Sequence, residues 1–296
     1  KAIALLLYTS VRPSVPPCDE MPNDFASLPP DLRILLQSRS LSRLITHLRD
    51  RSDVVSNMNL MAVSGFCRNC LAKWIVLACR RRRTEFGAAT GRLLDAVGYP
   101  EAAEFVCGEQ IGEWKKRYQK KATEEELGRY EAAAGLRAAH DKSLLEASAA
   151  ADGGGDSYRR TIPATVRTVL EADAFGSLLA HFSERSAAVS NLAVMAVGGF
   201  CRNCLAKWLV ASAREIAGTP DYVDPATAAR LHELGYEEAA EFVYGEPIGT
   251  WKARYQTKAT EEQLTAYTAS KHLHAVHDAA LLATTDRGTQ AADGGA

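Results

Sequence analysis

The sequence predicts an all-α protein: two tandem multihelical repeats of about 110 residues packed as a pseudo-dimer. Three observations predict it. Residues 60–79, LMAVSGFCRNCLAKWIVLAC, lie on residues 194–213, VMAVGGFCRNCLAKWLVASA, at a shift of 134, with 14 of 20 positions identical. After a three-residue insertion around GTPDYVDP, residues 98–127 lie on 235–264 at a shift of 137, with 23 of 30 identical. Apolar residues recur at helical spacing, and no stretch alternates apolar and polar residues between turn signals as a strand would. Self-similarity at a fixed shift marks a duplicated unit. A fused pair is expected to pack about a pseudo-two-fold axis where a single repeat would form a homodimer.

The elements follow in order. Residues 1–30, with the proline-rich VRPSVPP and SLPPDL, read as an N-terminal extension. Its first 18 residues carry no acid before Asp19 and mix apolar, Ser, Thr and Arg residues, as expected for the remains of an organelle-targeting segment. Repeat 1 covers 31–147. It opens on a helix carrying Leu32, Leu35, Leu36, Leu44, Ile45 and Leu48, with Asp31 after Pro30 as the expected N-cap. One helix of roughly 20 residues, about 30 Å long, then carries Met61, Phe66, Cys67, Cys70, Leu71, Trp74 and Leu77. Short helices follow through PEAAEFV and IGEWKKRYQ. Thr123 with Glu126, and Thr260 with Gln263, fit a capping box that opens the last helix of each repeat. Residues 148–164, with a glycine run, read as a flexible linker. Repeat 2 covers 165–284, and 285–296 reads as a disordered tail.

At 296 residues, 47% hydrophobic and 24% charged, the chain has the material for substantial cores. Lys plus Arg number 35 against 36 Asp plus Glu, so no global field draws the chain to nucleic acid or anionic membrane. The longest apolar runs, Ala2–Tyr8 and Trp74–Cys79, fall far short of a transmembrane helix. Seven cysteines, four of them in CxxC pairs, do not make the many-bridged pattern of a small secreted domain, which favours a reducing soluble compartment.

The candidate site is the decapeptide GFCRNCLAKW, present at 65–74 and 199–208. Residues three apart on a helix share a face, so Cys67 can join Cys70, and Cys201 can join Cys204, on one ligand. Each pair is half of a zinc site. His47 and His181, His140 and His277, or the other repeat's cysteines could complete it. Packing is the favoured alternative, because cysteine behaves as a small buried hydrophobe beside Trp74. A redox pair needs its CxxC at the start of a helix after a strand, where the helix terminus lowers the thiol pKa, and no βαβ pattern precedes Gly65, which argues against that. His47 and His181, near the end of each first helix, suit the helix dipole as well as they suit a ligand role. His140-Asp141 and His277-Asp278 resemble a metal-phosphohydrolase pair, but adjacent helical residues diverge and no further ligands complete the site. Trp114 with Tyr118, and Trp251 with Tyr255, fit the core face of an amphipathic helix better than an RNA-stacking surface. Arg80, Arg81, Arg82 and Arg83 occur in one copy only and form a candidate patch for protein acids, anionic lipid or RNA phosphate, against the plainer reading of a solvated charge run.

The HLR.R stretch at 47–51, the LM..GFCRNCLAKW core at 60–74 and the G...W..RYQ.KAT.E.L segment at 108–127, each with a counterpart in the second half, resemble the DUF1244 family of short bacterial helical proteins. The two copies cover about three quarters of the chain. The resemblance implies a small helical domain and no established activity; the fused pair, the extended termini and the Arg80–Arg83 run depart from it. The expected function is therefore a non-catalytic helical scaffold or accessory subunit that binds other protein subunits of a mitochondrial assembly, with no cofactor. A zinc-binding or thiol-redox protein using the CxxC pairs is the alternative.

Overall fold

The computed structural model describes residues 25–146 and 157–282. Repeat 1 contains α1 (Pro30–Arg49), α2 (Asn57–Ser64), α3 (Arg68–Arg82), α4 (Gly87–Ala96), α5 (Tyr99–Cys107), α6 (Ile111–Tyr118), α7 (Glu124–Ala132) and α8 (Lys142–Glu146). After α9 (Ser157–Thr161), repeat 2 runs the same course through α10 (Ala164–Glu184), α11 (Asn191–Gly198), α12 (Arg202–Ala217), α13 (Pro225–Glu233), α14 (Tyr236–Tyr244), α15 (Ile248–Tyr255), α16 (Glu261–Ala269) and α17 (Ala279–Leu282). Among the described residues there is no strand.

The central helices α3 and α12 are buried nearly all round. Leu71, Ala72, Ile75, Val76, Ala78 and Cys79 of α3 are inaccessible to solvent or nearly so, as are Leu205, Ala206, Leu209 and Ala213 of α12. A helix that is apolar on every side must be enclosed. The enclosure comes from both repeats. Each central helix packs on the second short helix after it in its own repeat, α3 on α5 and α12 on α14. The long first helices cross over: α1 lies on α12, α10 lies on α3, and α1 and α10 pack against each other along the pseudo-two-fold. The two cores thus form one continuous apolar cluster.

Sequence reading and structure diverge at four places. The expected 20-residue helix is two helices, α2 and α3, whose axes turn by 74° at Gly65–Cys67; α11 and α12 turn by 75° at the same place. Gly65 (φ 74°) and Gly199 (φ 71°) end α2 and α11 in the left-handed conformation. Apolar periodicity runs through the turn because both arms face one core, so the pattern alone conceals the break. Asp31 lies inside the first turn of α1, which begins at Pro30 with Pro29 at the cap. The linker's last part is structured: α9 buries Tyr158, whose ring lies 4.9 Å from that of Phe105, and Ile162 is buried just beyond it. The N-terminal extension likewise sends Phe25 and Leu28 into the core, Phe25 4.0 Å from Phe242 ring to ring. The rest of that extension, the rest of the linker and the tail lie outside the described residues. Both capping boxes are formed as expected, at Thr123 with Glu126 and at Thr260 with Gln263.

The glycine that makes the turn is fixed by contact as well as by φ. A Cβ on Gly65 would sit 1.9 Å from the Leu136 carbonyl oxygen and 3.0 Å from His181 Cε1; one on Gly199 would sit 2.0 Å from the Leu273 oxygen. Gly65→Ala is therefore expected to destabilise the protein by about 2–3 kcal/mol or more. Gly112→Ala, on a helix with no atom within 4 Å of the added carbon, is expected to be neutral or slightly stabilising. Urea unfolding of the two variants checks this, and equal effects would show that the turn tolerates a side chain.

Candidate functional site: the twinned cysteine elbows

Each decapeptide builds an elbow. In repeat 1 the chain leaves α2 at Gly65, seats Phe66 in the core and enters α3 with Cys67 as its N-cap (φ −152°, ψ −173°); Cys201 does the same for α12 (φ −153°, ψ −173°). The first turn is closed by Cys70 N–H donating to the Cys67 carbonyl at 2.9 Å, and by Cys204 N–H donating to that of Cys201 at 3.0 Å. All four cysteines are buried. The Cys70 thiol donates to the Cys67 sulfur, which pulls the Cys67 thiol below its ordinary pKa and pushes Cys70 above it. Backbone N–H groups of Asn69 and Cys70 add to the effect, and the Cys201–Cys204 pair repeats it.

The elbow's far side is held by the end of its own repeat. Ala138 N–H donates to the Gly65 carbonyl at 2.7 Å, and Ala275 N–H donates to that of Gly199 at 2.6 Å. The opposite repeat supplies the remaining donors. From the end of α10 and the residue that caps it, His181 Nε2 donates to the Ser64 carbonyl at 2.7 Å and Arg185 donates to the carbonyls of Leu136 (2.7 Å) and Arg137 (3.2 Å). From the end of α1 and the turn that follows it, His47 Nε2 donates to the Gly198 carbonyl at 2.8 Å and Arg51 donates to those of Leu273 (2.6 Å) and His274 (3.3 Å). A carbonyl only accepts, so each histidine is the neutral Nε2–H tautomer. Burial, partly offset by the bond to the carbonyl, pushes both down to about 4. Each sits against the other repeat's tryptophan, His181 5.8 Å from Trp74 and His47 5.9 Å from Trp208. His140 and His277 lie on the same tryptophans, at 5.7 and 5.9 Å.

Inside the elbow lies a buried cation. Arg68 donates to the carbonyls of Leu48 (2.5 Å) and Val55 (2.8 Å) and to Asn57 Oδ1 (3.1 Å); Arg202 donates to Phe182 (2.9 Å), Val189 (2.9 Å) and Asn191 Oδ1 (3.1 Å). Each guanidinium also lies over an aromatic ring, Arg68 5.2 Å from Trp114 and Arg202 5.1 Å from Trp251. Desolvation lowers both arginines to about 10. Sequence reading passed over Arg68, Arg202, Arg51 and Arg185 as site residues. Their one visible signal was that all four recur at the repeat shift, next to residues that were singled out.

The other candidates resolve as follows. The structure joins Cys67 to Cys70 and Cys201 to Cys204, but it does not gather the four thiols: among the described residues no group of three or more His, Cys, Asp or Glu is placed to hold one metal ion. His47 and His181 reach carbonyls, not cysteines. Arg80 is buried and donates to the carbonyls of Leu94 and Val97 (2.8 Å for the latter), as Arg214 does to Leu231 at 2.5 Å. Arg81 and Arg82 pair with Asp173, and Arg83 with Asp95 at 3.0 Å. The arginine run is therefore engaged with its own chain. Trp114 and Trp251 are buried with their lysine neighbours exposed, as the core reading expected. No single helix among the described residues is long and apolar enough to cross a membrane.

Fold and site together define a class: an all-helical tandem repeat whose halves clasp each other's motif elbows. The family model for DUF1244, described as a protein of unknown function, matches at residues 55–132 and again at 189–269, and the chain belongs to that family as a tandem duplication. Both matches begin after the crossing helices α1 and α10, so the helices that carry His47 and His181 lie outside them. No curated protein and no solved structure matches the chain.

The clasp carries a pH dependence of fixed sign. A histidine lowered to about 4 in the folded chain and near 6.5 in the unfolded chain binds a proton only after unfolding between those values. Stability is thus complete above about pH 6.5 and falls as pH drops towards 4, by about 2–3 kcal/mol per histidine. His47→Gln with His181→Gln keeps a neutral donor and removes the titration, so unfolding free energies at pH 7.5 and 4.5 should differ less in the double variant; an unchanged difference would remove these histidines from the pH response.

Proposed function

We propose that this protein is a non-catalytic helical scaffold or accessory subunit, and that it serves a larger protein assembly in the mitochondrion. The observation that carries this reading is where the motif's polar side chains go. Arg68, Arg202, His47, His181, Arg51 and Arg185 all donate to backbone carbonyls at elbow or helix ends, and four of the six do so across the seam between repeats. Residue types that often bind substrate or move protons are here committed to holding one rigid unit in shape. That is the economy of a structural part, and buried hydrogen-bonded networks rigidify a fold. The mitochondrial placement rests on the composition of the first 18 residues alone.

Other protein subunits are the partners this reading requires. The engagement of Arg81, Arg82 and Arg83 with Asp173 and Asp95 speaks against that run as an anion site of any kind, because an incoming anion would have to displace intramolecular carboxylates. Native electrophoresis of an extract from the source cells is the test. The chain should migrate in an assembly well above its own 32.1 kDa, and that assembly should be lost or shifted when the gene is deleted. Migration as a lone monomer, with no complex altered by deletion, would overturn the reading.

A further inference from the structure

The entry to α3 and α12 carries chemistry that the clasp does not use. An N-cap side chain accepts hydrogen bonds from the first free N–H groups of its helix, which is why Ser, Thr, Asp and Asn usually occupy it. Here the position belongs to Cys67 and Cys201. Each sulfur stands at the N-terminal end of its helix beside the second cysteine, and the side chain itself makes no cap hydrogen bond. The helix terminus and the neighbouring thiol both favour the thiolate over the thiol. The adjoining Arg68 and Arg202 guanidinium groups act in the same direction. The arrangement occurs twice, on helices of 15 and 16 residues. No strand precedes either motif among the described residues, but the break at Gly65 and Gly199 puts each CxxC at a helix start, the placement that favours a thiolate.

We propose that Cys67–Cys70 and Cys201–Cys204 are dithiol sites that a small hydroperoxide converts to disulfides, with Cys67 and Cys201 attacking and Cys70 and Cys204 closing the bond. The Cys67 thiolate attacks one peroxide oxygen, the O–O bond breaks, and the leaving hydroxide takes a proton to become water. Cys67 is then a sulfenic acid. The Cys70 sulfur attacks it, the S–O bond breaks and the second oxygen leaves as water with the Cys70 proton. Two thiols and one hydrogen peroxide give one disulfide and two waters: the sulfurs are oxidised by two electrons and the peroxide is reduced by two. The turn closed by the Cys70 N–H bond keeps the two Cα atoms at the separation of an i,i+3 pair, within the span of a disulfide. The thiols are 2–4% exposed, which selects a small oxidant over a protein disulfide. Cys79 is the internal control: it lies on the same helix, wholly buried, with its thiol pushed up to about 12 by desolvation.

The test uses the full chain, reduced, freed of reductant and exposed to hydrogen peroxide at pH 7, then quenched, denatured, alkylated and mapped by mass spectrometry. Cys67–Cys70 and Cys201–Cys204 disulfides should form at least about tenfold faster than Cys79 is modified, while circular dichroism shows the fold intact throughout. Cys70→Ser should leave a sulfenic acid on Cys67 that dimedone traps; if that variant does not fold, the wild-type kinetics decide alone. Both pairs remaining thiols, or reacting no faster than Cys79 and Cys107, would overturn the proposal, as would disulfides that form only in urea. The proposal is independent of the scaffold reading, since peroxide kinetics on the isolated chain do not depend on any partner.

Discussion

A helix that ends inside a protein must find donors for its last carbonyls, and here that requirement organises the whole molecule. α2 and α11 stop short because the chain turns through about 75° to bring Phe66 and Phe200 into the core. The carbonyls of Ser64 and Gly198 are left facing inward. The donors that reach them, His181 and His47, come from the other repeat. Leaving such a buried group unpaired costs about 1–3 kcal/mol, so neither elbow is complete within its own repeat. The pseudo-two-fold is therefore a condition of folding the motif rather than a later association of finished domains.

Fusing the two copies changes the thermodynamics of that condition. A single-repeat chain would complete its elbows only by meeting a second copy, so its stability would depend on concentration. One chain carrying both makes the crossing intramolecular. It also frees the copies to diverge, the seam included. Glu171 of α10 accepts from Ser38 of α1 at 2.7 Å, whereas its repeat-1 counterpart is Gln37. Cys107 stands where repeat 2 has Tyr244, whose hydroxyl joins Asn191 and Asn203. Arg81–Asp173 and Arg82–Asp173 link the end of α3 to α10, and the corresponding residues of α12 make a different pair, Arg43 to Glu215 at 2.5 Å. The two inter-repeat flanks are thus locked by unlike ion pairs around a shared core.

What the sequence made legible follows from what periodicity records. The repeat, the all-helical class, both capping boxes and the buried faces of α1 and α3 are local or periodic properties, and they were readable. The break at Gly65 was not, since α2 and α3 both turn an apolar face to one core and the pattern shows no interruption. The glycine was visible, but a glycine within a helical pattern is ambiguous until its φ or its contacts are known. The crossing of α1 and α10 was hidden for another reason: a pattern says that a face is buried, never against which copy. Arg68 and Arg202 were missed because a charged residue in an apolar run suggests a snorkelling surface group, whereas five hydrogen-bond donors let a guanidinium bridge several carbonyls at once inside a core.

The same geometry removes a choice that the sequence presented as exclusive, that cysteine in GFCRNCLAKW either packs or reacts. Position along the helix decides which property each sulfur has, and burial is common to all of them. Cys79, deep in α3 with its N–H spent on the helix, is dominated by desolvation, which disfavours its thiolate more than Arg80 favours it. Cys67 is as buried, but it stands where the helix has N–H groups to spare and where a second thiol and a guanidinium converge. Desolvation opposes its ionisation too; the convergent donors outweigh it. A sharp elbow whose carbonyls the other repeat must satisfy therefore also creates a helix start inside the core, and a helix start is where a buried cysteine becomes an acceptor rather than a filler.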